Sequence, residues 1–250
     1  MQFSIITVTK DNLAGLRKTA ESVENQYNHD YEWLVIDGGS QDGTADFLPN
    51  TNALWISEPD SGLYDAMNKG ITRARGDYMI FMNAGDCFAD TDVLHYLHQI
   101  ITDTQTDFIY GDAYEAYDAA GHVFYKPARG YSRMAFGMPT HHQAMLYHRT
   151  LIDGMRYNTA YPIAADYELT CRAVQRAQKV EYVPWAICIF EYGGLSRQKD
   201  TQGQREQYYI RKNLDLCPGW QNAAIAARQW LCNRLRANAP GLYRRLRSRI

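Results

Sequence analysis

Apolar residues in the first hundred positions fall alternately into short continuous runs and into runs at helical spacing. Phe3-Ser4-Ile5-Ile6-Thr7-Val8-Thr9 is β-branched and alternating, which predicts a first strand. Leu13, Leu16, Ala20 and Val23 then recur at helical spacing behind Asp11 or Asn12, either of which can cap a helix. Residues 33–36 predict a second strand, 42–48 a short helix, 54–57 a third strand, and 63–75 a helix stopped by Gly76. The run 77–82 predicts a buried strand that delivers Asn83-Ala84-Gly85-Asp86 to its C-terminal end. This β-α-β-α-β-α-β order argues for an α/β fold with a mostly parallel central sheet, right-handed crossovers and flanking helices.

The second half is more mixed. Residues 92–101 and 164–177 predict helices, and 108–112, 180–183 and 186–190 predict strands. Residues 114–117 and 123–125 flank Asp118-Ala119-Ala120-Gly121 and predict a hairpin. Helices are expected at 204–216 and 223–235, with a last one from Pro240 that places Leu242, Tyr243, Leu246 and Ile250 on one face. No internal repeat or low-complexity segment interrupts the chain.

Charge changes the picture more than overall composition does. After Trp220 there are seven Arg (Arg228, Arg234, Arg236, Arg244, Arg245, Arg247 and Arg249) and no acid, which leaves residues 1–220 at a formal charge of −9. Trp230, Leu231 and Leu235 interleave with these arginines, as in a helix lying on an anionic bilayer. The acidic body and the lack of a nucleic-acid motif argue against nucleic acid as a partner. Five scattered Cys with no C-x-x-C pair and no signal-peptide pattern ahead of them predict a reducing, cytoplasmic compartment and no zinc site. Cys87 beside Asp86 reads as a small buried filler. No apolar run approaches the roughly 20 residues of a membrane span.

Two predicted strands end in acids, at Asp37-Gly38-Gly39-Ser40-Gln41-Asp42-Gly43-Thr44 and at Asp86. The C-terminal edge of an open α/β sheet is where ligands bind. Acids there on Gly-containing turns can reach a hard cation and the phosphates it carries. Asp37 presents two acceptor oxygens suited to the N–H groups of uracil or guanine, with Thr7 at the neighbouring strand end for base or ribose.

The first strand, the 35–44 segment and the strand ending at Asp86 together resemble family 2 glycosyltransferases of the GT-A fold. Glu58-Pro59-Asp60-Ser61-Gly62-Leu63-Tyr64-Asp65-Ala66-Met67-Asn68-Lys69-Gly70-Ile71 is similar to a narrower branch of bacterial exopolysaccharide enzymes, including the colanic-acid type. The resemblance covers about residues 1–200. It implies a nucleotide-sugar half over 1–112, an acceptor half over 113–200 and a basic, amphipathic helical extension over 201–250. It further implies Asp60 and Asn68 on the nucleoside, with Met67 standing where many relatives carry Arg. Lys69 is expected to face the diphosphate. Asp86 matches the last acid of a D-x-D-like motif whose preceding acid is replaced here, and it would hold Mn²⁺ or Mg²⁺. Asp166, at a predicted helix start, resembles the acid that deprotonates the acceptor hydroxyl in inverting members. His142 and Gln143 match a segment near the acceptor and diphosphate, with His141 read as structural. Tyr192, Gly193 and Arg197 belong to a segment that closes over donor and acceptor.

The resemblance thus predicts an inverting transferase. It would move a sugar from a nucleotide-diphosphate sugar to a lipid-linked oligosaccharide, on the inner face of the cytoplasmic membrane. Two other readings remain at this point: a nucleotidyltransferase of similar sheet topology, and a non-catalytic carbohydrate- or membrane-binding scaffold. Thr9-Lys10-Asp11-Asn12-Leu13 is a poor match to the Gly-rich, basic signature of the former.

Overall fold

The computed structural model describes residues 1–116, 122–191 and 200–238. Four parallel strands form one side of its sheet: β1 (Phe3–Thr9), β2 (Tyr31–Asp37), β3 (Leu54–Ser57) and β4 (Tyr78–Phe81). They are joined through α1 (Leu13–Glu24), α2 (Thr44–Phe47) and α3 (Leu63–Arg73). Every residue of β1 is buried, as expected of a strand covered on both faces. Phe3 and Ile5 pack with Leu16 and Val23 of α1, whereas Ile6 and Val8 pack with Met67 and Ile71 of α3.

The remaining elements are β5 (Cys87–Phe88), α4 (Val93–Thr104), β6 (Phe108–Ala116), β7 (Val123–Lys126), β8 (Met145–His148), α5 (Arg149–Ile152), α6 (Ala165–Arg176), β9 (Val180–Phe190), α7 (Asp200–Asn213) and α8 (Gly219–Asn238). The sheet runs β3-β2-β1-β4-β8-β6-β9-β5, with β7 paired to β6. It is parallel on the N-terminal side and mixed beyond β4, because β8 inserts antiparallel between β4 and β6. Neither β5 nor β8 is predicted from the sequence: each is short and shows no alternation of its own. Residues 180–190 form one strand rather than two. A register shift against β6, between Val183 and Ala186, leaves Pro184 out of the ladder that its missing N–H would break.

The sequence divides the chain near residue 200, where α7 begins. Helix α7 packs on α6, with Ile210 joining Ala164, Tyr167 and Cys171 in a third apolar cluster. Arg211 is fully buried, and its Nε donates to Asn222 Oδ1 of α8 at 2.7 Å. The predicted helix from Pro240 lies outside the described residues.

Arg211→Ala leaves a void and strips Asn222 of a charged donor. The expected loss is about 2–4 kcal/mol of stability, or a fall of roughly 5–10 °C in the thermal midpoint. Thermal denaturation followed by circular dichroism checks it.

Candidate active site

Strand order reverses beside β1, which has β2 on one side and β4 on the other. Such a reversal opens a crevice at the carboxyl ends of the strands. A cavity of about 1300 Å³ occupies that place. Its walls come from the end of β1, the start of α3, the turn after β4, residues 126–143, the start of α6, the end of β9, and both C-terminal helices.

Asp86 sits in this wall on a turn closed by its own N–H to the Asn83 carbonyl at 2.9 Å. Thr19 of α1 fixes the turn: its hydroxyl donates to the Asp86 carbonyl at 2.7 Å and accepts from the Gly85 N–H at 3.0 Å. Asn12 caps α1 through the Gly15 N–H and donates to the Ala84 carbonyl at 3.1 Å. The Asp86 side chain is 4% exposed and accepts from Gln143 Nε2 at 2.6 Å and from the Glu191 N–H at 2.8 Å. Desolvation pushes its carboxyl up to about 7, and the nearby Glu191 carboxylate adds to the rise while the two hydrogen bonds oppose it. Cys87 is buried and its thiol is raised by desolvation, which fits an inert filler.

On the opposite side, Asp60 lines the cavity and Asp37 does not. Asp37 is fully buried; its oxygens accept from the Ser40 hydroxyl and the Ser57 hydroxyl, each at 2.5 Å. These bonds tie it to the loop after β2 and to the end of β3. Gly38 makes room for Asp60: a Cβ there would stand 2.3 Å from Asp60 Oδ2. Thr7 is also buried, accepting from Trp33 Nε1 at 2.9 Å, and Thr9 takes its expected place at the rim. The Thr9 hydroxyl is buried without a protein partner.

Two α3 residues expected at the nucleotide are bonded elsewhere, to the surroundings of that helix. Asn68 faces Tyr157, exchanging hydrogen bonds with its backbone N–H and carbonyl at 2.8 and 3.0 Å. Lys69 turns back to the loop before α3, pairing with Glu58 at 2.9 Å and donating to the Pro59 carbonyl at 2.9 Å. Neither lines the cavity. Both instead anchor segments around it, and Lys69 steadies the loop that presents Asp60.

Asp166 lies in the first turn of α6 on the cavity wall. The Tyr64 hydroxyl is 3.1 Å from its Oδ1 and 2.8 Å from the Ile163 carbonyl. Glu206 of α7 accepts from the N–H groups of Ile163 and Ala164 at 2.9 and 2.8 Å, so the C-terminal helices hold the approach to this acid. Desolvation raises the Asp166 carboxyl above its ordinary value, against hydrogen bonds from Tyr167 and Tyr64. A carboxylate so raised is a better proton acceptor than a solvated one.

His142 and Gln143 both border the cavity. The adjacent His141 stacks on Phe190 with ring centroids 4.1 Å apart and lies 2.7 Å from Glu115. With Lys126 it holds the Glu115 carboxyl down at about 2, by hydrogen bonding. Tyr192, Gly193 and Arg197 lie outside the described residues. Sequence reasoning missed Thr9, Tyr64, Lys126, Glu191 and Glu206. Of these Thr9 and Tyr64 carried a signal, since they stand inside the first strand and the 58–71 segment.

Among the described residues no group of three or more His, Cys, Asp or Glu could hold a metal ion by itself. The donors near Asp86 still suit a hard cation. Asn83 Oδ1 is buried with no hydrogen-bond partner, and it lines the cavity with Asp86. Oxygen donors of this kind suit Mg²⁺ or Mn²⁺ when phosphate oxygens complete the shell.

The fold and the acids at its strand ends define a GT-A type transferase. The model of glycosyl transferase family 2 matches residues 4–169, so the chain belongs to that family and is a glycosyltransferase. It is 31% identical over 204 residues to a PGL/p-HBAD biosynthesis glycosyltransferase of Mycobacterium tuberculosis (strain ATCC 25177 / H37Ra), covering 78% of each chain. An uncharacterized glycosyltransferase of Mycobacterium tuberculosis (strain CDC 1551 / Oshkosh) is 30% identical over 220 residues, covering 79% of this chain and 78% of its own. Among solved structures, Staphylococcus aureus TarS 1–349 in complex with UDP-GlcNAc aligns with a TM-score of 0.67 at 16% identity, over 95% of this chain and 73% of that one. The mannosyltransferase PcManGT of Pyrobaculum calidifontis, in complex with GDP-Man and Mn²⁺, aligns with a TM-score of 0.61 at 14% identity, over 99% of this chain and 78% of that one.

His142 supplies a pH test of the site's packing. Its ring is buried, desolvation drives it down to about 3, and Tyr157 Oη meets its Nε2 at 2.8 Å. The ordinary value is about 6.5, so the unfolded chain takes up this proton first as pH falls. The stability held by neutral His142 is complete above pH 6.5 and drains away between there and about 3. Between pH 7 and 5 the wild type should lose about 2 kcal/mol more than His142→Gln, or roughly 4–8 °C in thermal midpoint. Parallel melts at the two pH values measure the difference.

Proposed function

We propose that this glycosyltransferase moves a sugar from a nucleotide-diphosphate sugar to an acceptor hydroxyl with inversion at the anomeric carbon. The observation that carries the reading is that Asp60, Asp86 and Asp166 line one cavity. Asp60, beside the end of β2, accepts from the base or ribose. Asp86 and Asn83 hold Mn²⁺ or Mg²⁺ with the diphosphate, and the cation would supply charge neutralisation for the leaving group. Gln143 fixes the Asp86 carboxylate. Asp166, oriented by Tyr64, takes the proton from the acceptor hydroxyl as it attacks the face opposite the leaving diphosphate. Gln204, Gln207 and Gln229 of the C-terminal helices border the same cavity, and their amides suit the hydroxyls of an oligosaccharide acceptor. Tyr192, Gly193 and Arg197 are assigned to closure over donor and acceptor on the resemblance alone.

The acceptor we favour is lipid-linked and serves a surface polysaccharide, as the 58–71 segment suggests. Trp220, Trp230 and Leu231 of α8 are exposed, and the Arg234 guanidinium lies 4.7 Å from the centre of the Trp230 ring. No helix among the described residues is long and apolar enough to cross a membrane. Exposed Trp and Leu among arginines suit peripheral binding at an anionic inner-leaflet surface instead.

Asp166→Asn should cut transfer by about 100- to 10,000-fold while leaving nucleotide binding intact. Thermal shift with UDP, GDP, CDP or dTDP, with and without Mn²⁺, identifies the donor base and reports binding. Radiolabelled sugar transfer then reads the activity, and undiminished turnover in the variant would reject the assignment. The membrane reading has its own check: replacing Trp220, Trp230 and Leu231 with Ser should abolish co-sedimentation with phosphatidylglycerol vesicles. Equal sedimentation of variant and wild type would refute it.

A further inference from the structure

The turn after β4 brings one carboxylate, Asp86, to the metal side of the cavity, with Asn83 in place of a preceding acid. A divalent cation carrying a diphosphate ordinarily draws on one or two carboxylates besides the phosphate oxygens. A second acid does stand nearby, from a different part of the chain. Glu191 follows β9 directly, 105 residues from Asp86, and its backbone N–H donates to Asp86 Oδ1 at 2.8 Å.

The Glu191 side chain turns back over the Asn83–Asp86 turn. Gly85 has φ +107°, and a Cβ built there would stand 2.1 Å from Glu191 Oε2. Glycine adopts that backbone angle freely. The glycine of the turn thus admits the carboxylate of another strand. Glu191 itself is exposed, and its charge adds to the rise at the buried Asp86 carboxyl, which a cation bound beside the two would offset. Two neutral oxygens without partners belong to the same cavity wall. Asn83 Oδ1 is buried and unpaired, and Thr140, 5% exposed on the same cavity wall, has an unpaired Oγ1.

We propose that Glu191 supplies the second carboxylate for the divalent cation, in place of the acid that Asn83 lacks. Asp86 and Glu191 carry its charge, Asn83 Oδ1 adds a neutral ligand, and the nucleoside diphosphate contributes the remaining oxygens. The inference rests on the transferase reading given above. It moves one acid of the cation site from the turn after β4 to the end of β9. Cation binding would thereby draw these two segments together across the cavity.

The test is Mn²⁺ titration followed by the electron paramagnetic resonance signal of the free ion, in the presence of UDP or of GDP. Glu191→Gln, which keeps the side chain's size, should weaken nucleotide-dependent Mn²⁺ binding by at least about 10-fold with an unchanged thermal midpoint in the absence of ligands. Adding Asn83→Asp to that variant should restore the affinity. Wild-type affinity in Glu191→Gln, alongside its loss in Asp86→Asn, would overturn the Glu191 assignment and leave the transferase reading standing. Failure of Asn83→Asp to rescue would place the effect in the 191 segment's conformation and also overturn it. A wild type that binds no Mn²⁺ with either nucleotide would overturn the inference together with the metal part of the proposed function.

Discussion

A carboxylate cannot be buried in the wall of a sheet unless donors are brought to it, and Asp86 receives them from two remote segments. Gln143 arrives just before β8 and the Glu191 N–H just after β9. Those strands sit in the mixed part of the sheet, so the position of this acid depends on how that part is assembled. From the other side Thr19 and Asn12, one on α1 and one capping it, clamp the backbone of the same turn. Asp86 is therefore where the parallel and mixed parts of the sheet meet. Each hydrogen bond offsets part of the cost of desolvation, and the remainder leaves the carboxyl with a high affinity for a proton or a cation.

The parallel side of the fold was legible because its signals are local. β-branched runs, a capping Asn12 and a stop at Gly76 each lie within a few residues of what they specify. The place of Asp86 and Asp166 on the cavity wall was legible for the same reason: one follows a buried strand and the other begins a helix. Misplaced residues fail where side-chain direction depends on distant partners. Thr7 and Thr9 share a strand face, and which of them reaches the rim turns on where β1 ends against β2 and β4. Asn68 and Lys69 are neighbours on α3, about 100° apart around its axis. Neither direction points to the cavity, because Tyr157 claims one and Glu58 claims the other. Tyr157 is 89 residues away, and no spacing rule reaches that far.

The acid expected at the base of the nucleotide illustrates the same point. Asp37 occupies the expected strand end, and two serine hydroxyls donate to its oxygens. The loop so fixed, together with the missing side chain at Gly38, sets the place where Asp60 rests. One acid is bonded within the protein while the other lines the cavity. Position along the strand is visible in sequence; the division of labour between two nearby acids is not.

The C-terminal helices bind these pieces into one site. A separate basic extension was the simplest reading of seven arginines without a single acid, yet α7 carries Glu206 to the backbone that precedes Asp166 and buries Arg211 against α8. Glutamines from both helices then line the same cavity as Asp60. The acid at the start of α6 is consequently held from two directions, by Tyr64 on α3 and by Glu206 on α7. A loosening of α7 would act on Asp166 without touching it, by releasing the two backbone N–H groups that Glu206 now holds. The same helices that expose Trp220 and Trp230 are thus mechanically continuous with the residue assigned to proton transfer.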